Sequence, residues 1–307
     1  EDEAAFRCNL VAVHDGRMSS YSAGHITSRE AAEIIATLND RLGDARIRFF
    51  AGTSYRHLVK IAGGRDTLRA TCTPPHDISG QPVEEFLPRG PGSGLLRELM
   101  QRSQAVLKDH PVNAGRRARG ETPATMIWLF WGSGRPGKIP SFCEVHGLTA
   151  ALTSGVDLLR GLARMIDVEI LEIAGVTDNL DNDYAAQAGG ALEALGRHDL
   201  AVIHVEAPDE AGHAGSISDK IAAIESVDKE IVARVRSRGR ESFRVLVMPD
   251  HPTPIAIRTH YAEPVPFLLW GDGFSPSGAR RFTEAEAKAT GISIVPGHTL
   301  LRKLITG

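Results

Sequence analysis

From Leu148 onward, short apolar runs alternate with amphipathic stretches, and this alternation constrains the fold more than any other feature of the chain. Residues 148–153, 168–173, 200–205, 243–248 and 265–269 have the length and apolar content of buried strands. Residues 156–165, 184–195 and 217–235 lie between them and carry helical periodicity. Such an order predicts an α/β fold, an open and mostly parallel sheet with helices on both faces. Residues 126–131, Met-Ile-Trp-Leu-Phe-Trp, form a continuous apolar run, the pattern of a strand buried on both faces, and are read as the opening of this region.

The first part of the chain has a different texture. Residues 6–13 read as a strand closed by a turn at Asp15-Gly16. Thr27 and Glu30 have the spacing of a capping box, which predicts a helix from there to about Leu42 with Ile34, Ile35 and Leu38 on one face. Two strands are expected at 46–50 and 55–61, then a stretch rich in Pro and Gly from Cys72 to Gly94. A further helix is expected at 95–107, and the cluster Arg116, Arg117, Arg119 reads as a solvated connector. The expected division is therefore a small α+β domain over 1–120 and an α/β core over 121–307.

Overall charge excludes some functions. A net charge of -3 argues against a scaffold that holds nucleic acid by bulk electrostatics. No apolar run of 18 residues occurs, so no membrane-spanning helix is expected. Cys8, Cys72 and Cys143 are odd in number and far apart, which indicates neither a disulfide framework nor a cysteine zinc site. With no signal peptide visible, a reducing, cytoplasmic location is the expectation.

The chemistry concentrates in three short segments: Asp209-Glu-Ala-Gly-His213, Asp250-His251 and His260. Asp209 and His213 follow the strand expected at 200–205, and Asp250 and His251 follow the one at 243–248. Both pairs thus fall at the carboxyl edge of the sheet, where open α/β folds bind ligands. Singly, an Asp or His after a strand is usually a cap or a turn residue. Together they offer two carboxylates and three imidazoles, the donor mixture of divalent transition metals. Five ligands exceed one tetrahedral ion and make up most of a two-metal site, which suits phosphoryl chemistry. His204 lies within an expected strand and reads as a core residue.

The segments Ala207-Pro-Asp-Glu-Ala-Gly-His213, Lys220-Ile-Ala-Ala-Ile-Glu225, Pro249-Asp-His-Pro-Thr-Pro254, Thr259-His260 and Pro264-Val-Pro266 resemble the archaeal-type cofactor-independent phosphoglycerate mutases of the alkaline phosphatase superfamily. Phe6-Arg-Cys-Asn9, Tyr55-Arg56-His57, Pro74-Pro-His76-Asp77 and His110-Pro-Val-Asn113 extend the likeness over nearly the whole chain. It is strongest to a bacterial branch in which homoserine kinases have been proposed. The resemblance implies an alkaline-phosphatase-like core, an inserted lid domain and a soluble enzyme acting on a small phosphorylated metabolite. It implies two divalent ions, manganese first, with zinc or magnesium as alternatives. Asp209, His213 and His260 would hold one ion, and Asp250 with His251 part of the second. A serine would carry the phosphoryl group between 3- and 2-phosphoglycerate. That serine and a further Asp ligand are expected upstream of Glu1, as in a chain lacking its N-terminal segment. Ser20, Ser216 and Gln187 depart from the family pattern. A phosphorylated acid calls for paired guanidinium groups, and Arg7, Arg56 and Arg116, with His76, are the expected substrate contacts. Two alternatives remain at this stage. One is a related phosphotransferase or phosphohydrolase, including homoserine kinase; the other is a non-catalytic metal-binding remnant.

Overall fold

A computed structural model describes residues 2–238 and 243–307. Two compact units are present, Glu1–Lys138 and Ile139–Gly307.

The first unit is built on an antiparallel sheet. Strand β1 (Glu3–His14) turns through Asp15-Gly16 into β2 (Arg17–Ser20). Helix α1 (Ser28–Leu42) follows, then β3 (Ile47–Phe50) and β4 (Arg56–Ala62). The expected capping box is present: Thr27 Oγ1 accepts from Glu30 N, and the Glu30 carboxylate accepts from Thr27 N. Helices α2 (Ser93–Lys108) and α3 (Pro111–Ala118) lead to β5 (Met126–Gly134). β1 pairs with β4 on one side and β5 on the other, and β3 pairs with β4, all antiparallel.

Strand periodicity divides the side chains between two faces. Phe6, Cys8 and Leu10 of β1, with Val59 and Ile61 of β4, are buried in one core with Ile34 and Leu38 of α1 and Leu96 and Leu99 of α2. The opposite face carries Arg7, Asn9 and Arg56. β5 is buried on both faces, as its apolar run predicts, because residues 71–86 strap across it: Trp128 Nε1 donates to the Thr73 carbonyl at 2.8 Å. Its partner differs from the expectation. β5 belongs to the antiparallel sheet of the first unit, so the chain divides after Lys138, whereas a boundary at residue 120 was expected. Opposite Phe6, β5 bulges: Arg7 faces Phe130 and Ala5 faces Ser133. Trp131 at the bulge has φ 48° and is 61% exposed. Gly132 is required there, since a Cβ would lie 2.3 Å from the Phe6 ring.

One buried group ties this core to pH. His57 is 1% exposed, its Nδ1 accepts from Gly52 N at 3.1 Å, and its Nε2 has no partner among the described residues. Burial, assisted by the Arg7 charge, lowers its pKa from 6.5 to about 4. The unfolded chain therefore binds the extra proton first. The stability that neutral His57 supplies is complete above pH 6.5 and is lost as pH falls towards 4, by about 3 kcal/mol in all. Urea unfolding of the protein and of His57→Gln across that range should show a shallower acid loss in the variant. Parallel curves would remove His57 as the cause.

The second unit holds helix α4 (Phe142–His146), β6 (Ala150–Thr153), α5 (Asp157–Met165), β7 (Glu169–Ile170), α6 (Tyr184–Ala194) and β8 (Leu200–Ile203). β7, β6 and β8 form a parallel sheet in that order, in keeping with the α/β expectation. Next come α7 (Ala207–Ala214), α8 (Ile217–Ser226), a π-helical turn (Val227–Val232) and α9 (Ala233–Arg236). The expected final two strands are present as β9 (Val245–Val247) and β10 (Leu268–Trp270), but they pair with each other, antiparallel. Pro264 and Pro266 lack N–H donors, so the expected strand from Val265 forms a ladder only beyond them. Helices α10 (Glu284–Ala289) and α11 (Leu300–Thr306) end the unit. Among its described residues one buried apolar cluster of five lies around Tyr184 and Ile231 and one of three around Ala151. Among the described residues no helix is long and apolar enough to cross a membrane.

Candidate metal centre

Asp209 and His213 stand on α7, a helix absent from the elements expected from sequence. Pro208 occupies the first helical turn, where its missing N–H costs nothing, and Gly215 in the left-handed region ends the helix. The i,i+4 spacing then puts both side chains on one helix face. His213 Nε2 lies 3.2 Å from Asp209 Oδ2. His260 reaches the same place from the segment before β10: its Nε2 is 3.1 Å from His213 Nε2 and 3.6 Å from Asp209 Oδ1.

Helix α7 meets residues 250–254 at Gly212. A Cβ there would sit 2.6 Å from the Thr253 carbonyl oxygen, so glycine permits the approach. Thr253 is buried and donates its hydroxyl to Asp209 Oδ1, and its carbonyl accepts from Lys220 Nζ at 2.7 Å. Asp250 and His251 lie alongside. His251 Nε2 is 2.9 Å from Asp250 Oδ2, and His251 Nδ1 is 3.9 Å from Asp209 Oδ1. The His251 ring stacks on His260 at 3.7 Å between centroids. Neither Thr253 nor Lys220 was anticipated from sequence. The proline on either side of Thr253 was the available signal that its backbone is held.

The donor set fits a divalent cation. His213 Nδ1 lies 3.0 Å from the Arg258 carbonyl oxygen, which can only accept, so Nδ1 carries the proton and Nε2 presents a lone pair. That lone pair faces His260 Nε2, an arrangement that a proton or a metal ion between the rings relieves. Ligand atoms about 2.1 Å from a tetrahedral ion lie about 3.4 Å from one another. The two imidazole Nε2 atoms are 3.1 Å apart, and one ligand atom from each of Asp209, His213 and His260 lies within 4.8 Å of the others. Two carboxylates beside three imidazoles supply the matching negative charge. Asp250 and His251 form a second donor pair adjoining this cluster through Asp209.

The residues expected to contact substrate lie in the first unit. Asn9 is the cross-strand partner of Arg56, and Arg7 Nε donates to Asn9 Oδ1 at 3.2 Å. Arg56 lies over the Tyr55 ring at 5.6 Å. Tyr21 packs edge-on against both Tyr55 and His76. Arg7, Arg56 and His76 thus gather around Asn9, Tyr21 and Tyr55, the last two not foreseen from sequence. Arg116 is placed differently. It is 3% exposed and donates to the Glu30 carboxylate and to the carbonyls of Ala23, Gly24 and Thr122, with the Glu121 carboxylate 3.2 Å from Nη1. The partners named for Arg116 are thus all internal to the first unit. The reading of a solvated cluster holds for the exposed Arg117 and Arg119 and not for Arg116.

Residues 1–113 match the family model for 2,3-bisphosphoglycerate-independent phosphoglycerate mutase. The chain is 46% identical to the protein of that name from Methanothrix thermoacetophila, over all of this chain and 78% of the relative. To that of Methanosarcina acetivorans it is 42% identical, over 99% of this chain and 77% of the relative. In fold it is similar to a protein from Pyrococcus horikoshii, with a TM-score of 0.79 at 23% identity, covering 99% of this chain and 73% of that one.

Proposed function

This chain belongs to the 2,3-bisphosphoglycerate-independent phosphoglycerate mutases and is an isomerase, and from that premise we propose that it interconverts 3- and 2-phosphoglycerate through a phosphoserine with two divalent ions. Manganese is the ion proposed. One would be held by Asp209, His213 and His260, and the second in part by Asp250 and His251. The observation that carries this reading is that one ligand atom from each of the first three donors lies within 4.8 Å of the others.

When bound, such an ion would neutralise phosphoryl oxygens and lower the pKa of a coordinated hydroxyl. The chain's own residues do the rest. Thr253 and the Arg258 carbonyl hold Asp209 and His213 in ligating orientation. Arg7 and Arg56 present guanidinium groups from adjacent strands, a geometry suited to the carboxylate and phosphate of a three-carbon acid. His76 offers a further polar edge to the same face. The first unit would act as the substrate lid, and the serine that receives the phosphoryl group is the one the resemblance places before Glu1.

The test is a manganese-supplemented assay on 3-phosphoglycerate coupled to enolase, using the intact enzyme that carries this sequence. Turnover is expected with phosphoglycerate and not with homoserine plus ATP; the reverse result would remove the mutase reading. Arg56→Ala should raise KM for 3-phosphoglycerate about tenfold or more, the worth of a charge-assisted hydrogen bond. An unchanged KM would take Arg56 out of the substrate site.

A further inference from the structure

Ser154, His204 and Glu206 form a second linked set at the carboxyl edge of the parallel sheet, outside the metal donors. Ser154 follows β6 and His204 follows β8. Ser154 Oγ is 3.0 Å from His204 Nδ1, and His204 Nε2 is 3.3 Å from Glu206 Oε2. The Nε2–Glu206 approach is an ion-pair contact that orients the ring, and Nδ1 faces the Ser154 hydroxyl. Ser154 Oγ accepts in turn from Val156 N at 3.0 Å.

A serine, a histidine and a carboxylate in a row suggest a hydrolytic triad, and burial argues against that role. Ser154 is 2% exposed, so no substrate reaches its oxygen. The set instead ties down one stretch of backbone. His204 N donates to the Thr153 carbonyl at 3.0 Å, and the His204 carbonyl accepts from the buried Gln187 at 2.8 Å. Glu206 is the residue at which α7 begins, yet its carboxylate makes no capping bond. Its side chain is used on His204, while its carbonyl accepts from Asp209 N at 2.8 Å and Glu210 N at 3.2 Å. The ends of β6 and β8 are thereby linked, through three side chains, to the helix turn that carries the first metal donor.

We infer that Ser154, His204 and Glu206 are positioning residues for the cation site: they fix where α7 starts, hence the placement of Asp209 and His213, and so set the affinity for a divalent transition metal. The inference rests on the metal reading above. Groups bonded directly to a metal ligand are typically worth 10- to 100-fold in metal affinity, and here the direct bond is the Glu206 carbonyl accepting from Asp209 N.

The experiment is a titration of the full chain with Mn2+ alone, followed by calorimetry and by the loss of the free-ion electron paramagnetic resonance signal. Ser154→Ala and Glu206→Ala should each weaken binding about tenfold or more. Glu206→Gln keeps a side-chain oxygen beside Nε2 and should stay within about threefold of the unmodified chain, a rescue that a general loss of packing would not give. Equal affinity in all variants overturns the inference. A loss in Glu206→Gln as large as in Glu206→Ala also overturns it, by making charge rather than position the cause. If Ser154→Ala fails to unfold cooperatively, the Glu206 pair decides alone, since that side chain is 25% exposed. Absence of Mn2+ binding in the unmodified chain would instead sink the metal reading itself.

Discussion

Asp209→Ala is expected to weaken Mn2+ binding by more than about a hundredfold, beyond the range that outer-sphere changes reach. Asp209 is the point where the cluster meets: His213, His260, His251 and Thr253 all lie against its two oxygens. Removing it leaves two imidazoles with no anion between them and takes away the charge that offsets a divalent ion. The fold should survive. The carboxylate lies in the first turn of α7, where its interaction with the helix dipole is worth only about 0.3–1 kcal/mol. Calorimetric Mn2+ titration measures the first effect and urea unfolding the second. An affinity within tenfold of the parent would show that Asp209 is not a ligand. Loss of cooperative unfolding would show that the carboxylate is structural.

The second large effect lies in the first unit. Arg116→Ala should destabilise that unit by about 3 kcal/mol, the lower part of the range for breaking a buried ion pair. The lower part applies because Glu30 keeps Arg119 as a partner. Three carbonyls, those of Ala23, Gly24 and Thr122, lose their donor at the same time. Hydrogen exchange of the α1 and α3 amides, read beside the urea midpoint, checks the size and place of the effect. Unchanged protection together with a raised KM for 3-phosphoglycerate would restore Arg116 to the substrate site.

What could be read from sequence divides along the range of the interaction. The capping box at Thr27 and Glu30 spans three residues, and its two hydrogen bonds are both present. The Asp209–His213 spacing was also local, and Asp209, His213 and His260 do lie together, but the helix beneath two of them was missed. Pro208, Gly212 and Gly215 look like loop chemistry until Pro208 is placed in the first helical turn and Gly215 at the end. The apolar run of β5 reported burial on both faces correctly, since that depends on its own side chains. Which strand it pairs with depends on β1, more than a hundred residues earlier, and left no mark on residues 126–134. Arg116 fails for the same reason. Its partner Glu30 is 86 residues away, and nothing within 116–119 distinguishes a buried guanidinium from a solvated one. Thr253 and Lys220 serve the site through contacts that only the meeting of α7 with residues 250–254 creates.

The proposed cation donors come from segments 47 residues apart, and this has a thermodynamic consequence. A bound ion would therefore act as a cross-link, contributing RT ln(1 + [M]/Kd), about 4 kcal/mol at a thousandfold excess over Kd. Conformational stability of that half of the protein would then track free metal concentration, and a chelator would act on it as a denaturant does.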